Sequence, residues 1–172
     1  MNKLFMIFVV VILMAGLTNK VVAQIQPQTA QNQARAEVLS ALGLVAVNPL
    51  EFGGFTSAAA GTVVLSPLAV RTATGGVTLY TTSITPTAAS YTLTGSPNTH
   101  YTIVVPTTNQ LLVHVGNSAS MAANNFTCSY PLLASTLGNT GSDAFTVGAT
   151  LDVAASQAAG LYSGFFDVTI AY

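Results

Sequence analysis

Apolar and polar positions alternate in short runs along most of this chain. A period of two predicts strands, because successive strand side chains point to opposite faces. Tyr91 and Leu93 alternate with Ser90, Thr92 and Thr94. Tyr101, Ile103 and Val105 form a second set, Leu111, Val113 and Val115 a third, and Phe145, Val147, Ala149, Leu151 and Val153 a fourth. The clearest case is the stretch from Tyr162 to Tyr172. Tyr162, Gly164, Phe166, Val168, Ile170 and Tyr172 share one parity, and Ser163, Phe165, Asp167, Thr169 and Ala171 the other. Buried side chains such as Phe166, Val168 and Ile170 contribute about 1.5–3 kcal/mol each, so this stretch is expected to be a core strand. Pro49, Gly53-Gly54, Pro67, Gly75-Gly76, Pro86, Gly95-Ser96-Pro97-Asn98 and Gly116-Asn117 separate the runs as turn signals. No helical period is sustained after Val47. The pattern predicts an all-β domain of about eight to ten short strands, a sandwich or a barrel, over residues 34–172.

Upstream, Ala34, Ala36, Val38, Leu42 and Leu44 share one parity, with Ser40 as the polar exception. A strand is preferred there over a short amphipathic helix, given Val45, Val47 and the β-rich remainder. Residues 24–33 are polar and glutamine-rich and are expected to be a flexible leader. Residues 1–23 have the form of a signal peptide: Lys3, an apolar run from Leu4 to Leu17, then Val21-Val22-Ala23. Cleavage is expected between Ala23 and Gln24. The run is shorter than the roughly 20 residues of a membrane span, so contact with a membrane is expected only through this peptide before cleavage. The exported chain would then be secreted.

Charge narrows the functional classes. Downstream of residue 23 the bases are Arg35 and Arg71, against Glu37, Glu51, Asp143, Asp152 and Asp167. A nucleic-acid partner needs a basic footprint, and none is present. Cys128 is alone and is expected to act as a small apolar side chain on the face of Phe126 and Tyr130. His100 and His114 have no metal-ligand spacing with it. No Gly-x-Ser-x-Gly motif, phosphate loop or local carboxylate pair appears. Neither an enzyme nor a cofactor is expected.

One motif is more specific. Gly148, Thr150, Leu151, Val153, Gln157, Gly160, Tyr162, Gly164, Phe166, Val168 and Tyr172 follow a pattern that resembles a family of secreted bacterial domains of unassigned function. Leu50-x-Phe52-Gly53 and Tyr91-x-Leu93-x-Gly95 look like the same family. Ala149 and Phe165 depart from it, standing where a glycine and a polar residue are usual. That family is similar to spore coat protein U domains and to archaic chaperone–usher pilins. The resemblance implies an immunoglobulin-like, pilin-like sandwich that lacks one strand. A periplasmic chaperone, and then the next subunit, would supply it by strand addition. Ala34 to Leu44 is the candidate donor strand on that reading, and the product would be a fimbrium-like surface fibre. Two other classes stand beside it. A small outer-membrane barrel would suit an alternating strand that closes on an aromatic residue. A carbohydrate-binding sandwich could stack sugars on Tyr80, Tyr91, Tyr101 and Phe165.

Overall fold

The computed structural model describes residues 29–133 and 135–172. Among these residues the protein is all-β, with eleven strands: β1 (Gly43–Asn48), β2 (Gly54–Leu65), β3 (Arg71–Tyr80), β4 (Ala89–Thr94), β5 (His100–Val104), β6 (Gln110–His114), β7 (Ser120–Cys128), β8 (Ser135–Thr136), β9 (Ser142–Val153), β10 (Tyr162–Ser163) and β11 (Thr169–Ala171). Residues 38–172 form one compact unit. Residues 29–37 belong to another, and they are exposed and outside any strand. The expected cleavage between Ala23 and Gln24 lies outside the described residues.

The large sheet runs β1-β4-β9-β7-β6-β10, with the β2–β3 hairpin attached through β2 to β9; a smaller sheet runs β11-β5-β8. Each pairing between these strands is antiparallel. Among the described residues the large sheet has ends rather than a closed circuit, since β1 pairs only with β4 and β10 only with β6. One apolar core joins side chains of both sheets, which makes the arrangement a sandwich.

The spine is β9. One of its edges carries β7, while the other carries β4 along residues 142–147 and β2 along residues 149–153. Phe145, Val147, Ala149, Leu151 and Val153 are all buried, as their alternation predicts. Gly148 lies between them because β2 comes close. A Cβ there would stand 2.6 Å from the Ser66 carbonyl carbon and 2.8 Å from Pro67 N. Tyr91 of β4 stacks on its cross-strand partner Phe145, with ring centroids 5.2 Å apart. In β7 the parity of the buried side chains changes. Met121 and Ala123 face inward, and so do Phe126 and Cys128, because an irregularity between Asn124 and Thr127 inserts a residue. Asn125, at φ 46°, takes up the extra length.

Several expected boundaries move. Gly75-Gly76 is not a turn but the middle of β3, opposite the irregular part of β2, where Gly75 has φ 66°. The hairpin reverses instead at residues 66–70, where Ser66 N–H donates to Val70 O at 2.9 Å. The strand expected from Ala34 starts only at Gly43 and pairs with β4 of its own chain. The strand expected from Tyr162 to Tyr172 divides. Its two pieces pair with β6 and β5, which lie in different sheets, so residues 164–168 pass between the layers.

Candidate functional site

The second layer of the sandwich is incomplete. The β11-β5-β8 sheet covers part of the inner face of the large sheet. Over the rest lies a cleft of about 1030 Å³. Its floor is the inward face of β4, β9, β7 and β6, through Tyr91, Leu151, Met121, Ala123, Phe126 and Leu112. Several of these belong to the core, so the cleft opens directly onto it. Both end strands of the large sheet line its rim, β1 through Ala46–Asn48 and β10 through Tyr162 and Ser163. Among the lining residues only Glu51 is charged.

Polar fastenings hold the walls apart. On one side, Arg71 of β3 donates through Nη1 to Phe52 O at 2.8 Å and to Gly54 O at 3.1 Å, and through Nη2 to Tyr80 O at 3.0 Å. A guanidinium has a fixed fork of donors, and here it clamps the segment before β2. A Cβ on Gly53 would meet Arg71 Nη1 at 2.5 Å, and φ there is 71°. On the other side runs the strap of residues 156–166. Gln157 N–H donates to Ser57 Oγ at 3.0 Å, and its Nε2 donates to Ser120 O at 3.2 Å and to the Tyr162 hydroxyl at 2.8 Å. Tyr162 Oη–H donates to Ala158 O at 2.7 Å. His114 Nε2 lies 3.0 Å from Ala159 O, and Gly116 N–H donates to His114 Nδ1 at 2.8 Å. A carbonyl only accepts, so the proton sits on Nε2 and both ring nitrogens are satisfied. The His114 ring meets Tyr162 edge to face at 5.0 Å, and Gly160, at φ 145°, lets the strap pass over it.

The strap returns the expected inward residues to one place. Tyr162 and Phe166 line the cleft, and Phe166 lies 5.0 Å from Phe126 between ring centroids. Val168 and Ile170 pack partly buried against the core beyond it. Tyr172 is half exposed but makes two hydrogen bonds through its hydroxyl. In the upstream group, Leu42 and Leu44 pack partly buried against their own core, whereas Ala34, Ala36 and Val38 are exposed. Of the four aromatic residues considered for sugar stacking, Tyr91 and Phe165 line the cleft, whereas Tyr80 and Tyr101 do not. Tyr101 is buried in the core and donates to Asp143 Oδ2 at 3.0 Å. Burial, and then Asp143, push its hydroxyl up to about 12. Burial raises the Cys128 thiol as well. Sequence reasoning missed Arg71 and the rim residues Phe55 and Ile84. Arg71 is one of only two arginines in a chain this poor in cations, and that was the available signal.

Among the described residues no group of three His, Cys, Asp or Glu side chains is placed to hold a metal ion. No curated protein and no solved structure is similar enough to the chain to count as a match. Residues 42–172 do match a family profile, which covers the strands, the cleft and the strap together, and the chain belongs to that family, the domain of unknown function DUF4402.

Proposed function

We propose that this protein is an exported, non-enzymatic surface subunit whose cleft accepts a β-strand from another copy of the chain. The observation that carries the reading is the cleft itself. It exposes core side chains between the two end strands of one sheet, where an open edge invites pairing. Strand addition would complete the second layer, with backbone bonds supplying affinity and alternating side chains supplying register. The lining, with Glu51 as its one charge, suits an apolar strand.

The donor on this reading is the exposed segment containing Ala34, Ala36 and Val38, which alternates and lies in no strand of its own. Leu42 and Leu44 are left out of it, since donating them would unpair β1. Head-to-tail addition does not close on itself and gives a fibre. A periplasmic chaperone strand would occupy the cleft before assembly. Electron microscopy of the full chain and of a variant lacking residues 29–39 tests the proposal. Fibres lost in the variant, and a melting temperature raised when a peptide of residues 29–39 is added to it, are the expected results. Fibres that persist without the segment, or a full chain that never assembles, would overturn it.

A further inference from the structure

β6 defies its own alternation. Leu111, Val113 and Val115 form the apolar set, yet they face solvent while Leu112 and His114 turn inward. Pairing explains the direction. Leu112 is opposite Met121 and must share its face, so Leu111 and Val113 point away from the core. β10 continues the outward face. Val113 pairs with Ser163, and Val115 N–H donates to Leu161 O at 2.9 Å. Past the end of β10, Gly164 is pressed so close to β6 that a Cβ on it would stand 3.2 Å from Leu112 Cα, which brings the 95% exposed Phe165 to the Leu111 end of the strand. Residues directly opposite in an antiparallel pair share a face. Val113 with Ser163 and Val115 with Leu161 therefore make one ladder on the outside of the sheet, and Leu111 and Phe165 lie at its end. Its apolar members range from 47% exposed at Val113 to 95% at Phe165.

We propose that this ladder is a two-fold interface with a second copy of the chain, formed face to face through the outward side of β6, with Leu161, Ser163 and Phe165 also bordering the cleft. Size permits it. At about 150–250 Å² for a fully exposed Phe and less for Val and Leu, the five exposures amount to roughly 400–600 Å² on each copy. Two copies would bury roughly 800–1,200 Å², at the low end of specific interfaces, and a patch of this extent is at the upper end of what a monomer shows. Composition selects the partner. The ladder carries no charge, and interface centres are depleted of charge. A lipid surface would call for a cationic border, but the bases among the described residues are Arg35 and Arg71, and Arg71 is engaged by three carbonyls. Shape agrees with a two-fold axis. With Val113 near the axis, the broad Leu111–Phe165 end of one copy meets the narrower Val115–Leu161 end of the other, and each contact occurs twice.

Two measurements on the full chain test the interface. Val113→Cys, in a Cys128→Ser background, is expected to give a disulfide-linked dimer on mild oxidation, seen as a band of twice the monomer mass that reduction removes. The triple change Leu111→Thr, Val113→Thr and Val115→Thr keeps β-branched or strand-compatible residues and touches no residue lining the cleft. It is expected to weaken dimerisation by roughly a hundredfold in sedimentation equilibrium, with the circular dichroism spectrum unchanged. A cysteine at 113 that stays reduced, a wild type that binds liposomes as a monomer, or a ladder covered by the chain's own residues 1–28 would each overturn the proposal. Because Leu111, Val113 and Val115 lie outside the cleft, loss of this dimer and loss of fibres are separable results.

Discussion

The Tyr172 hydroxyl donates to the Ser40 carbonyl oxygen and accepts the Ser96 N–H at 3.0 Å, while Ser40 N–H donates to Ser96 Oγ at 2.6 Å. Three segments distant in sequence are thus closed into one polar triangle just upstream of β1. The triangle fixes where the exposed upstream segment leaves the domain. Tyr172→Phe removes the hydroxyl from two of its hydrogen bonds and is expected to cost about 1–3 kcal/mol. Urea unfolding measures the loss, and faster amide exchange at Ser96 would locate it. An unchanged Ser96 amide would show that the triangle carries no constraint.

Arg71 holds one wall of the cleft through backbone carbonyls alone. Arg71→Ala leaves those carbonyls to water and is expected to destabilise the fold by about 1–3 kcal/mol. Arg71→Lys recovers only part of this, because an ammonium cannot span the same fork. Hydrogen exchange should rise across Phe52–Phe55 and stay level in β9. A uniform rise would mean that the clamp is not local.

Alkaline pH reports on the core through Tyr101. Its hydroxyl is held well above the ordinary tyrosine value, first by burial and then by Asp143. Below about pH 10, the pKa of a free tyrosine, folded and unfolded chains both keep the proton and this contribution to stability is whole. Between about pH 10 and about 12 the unfolded chain gives up the proton first, so stability falls as pH rises. Tyr91 and Tyr130 are raised too and act in the same direction. Tyr101→Phe should therefore make the alkaline decline shallower in urea midpoints taken across that range. An unaltered slope would remove Tyr101 as its source.

Gly148 is required by proximity rather than by backbone angle. Gly148→Ala would force its methyl group against Ser66 and Pro67 and is expected to cost about 1–3 kcal/mol as overpacking. Thermal unfolding gives the size of the effect. A neutral result would mean that β2 can move away from β9 without loss.

The alternation of Phe145 to Val153 was enough to place these residues in the core, since a strand with one buried face has only one workable parity. The same rule worked for Tyr162 and Phe166 but failed for Leu111, Val113 and Val115. There, the pairing of Leu112 with Met121 decided the facing, and the apolar set was left outside. β8 was not foreseen because two residues carry no period. Gly75-Gly76 looked like a turn because glycine also serves at irregular strand pairings.

Local chemistry by itself determined the strand content and the absence of a basic footprint, whereas Gln157, Gly160, Tyr162 and Gly164 stood together only through the family resemblance. The first two follow from periodicity and charge, which are properties of neighbouring residues. Only the tertiary structure decided that the stretch from Tyr162 to Tyr172 spans two sheets, that Arg71 braces a wall, and that the inner face of β4, β9, β7 and β6 is left partly uncovered. Those features depend on which strands lie beside one another across long separations, and a period of two is the same whichever neighbour a strand has.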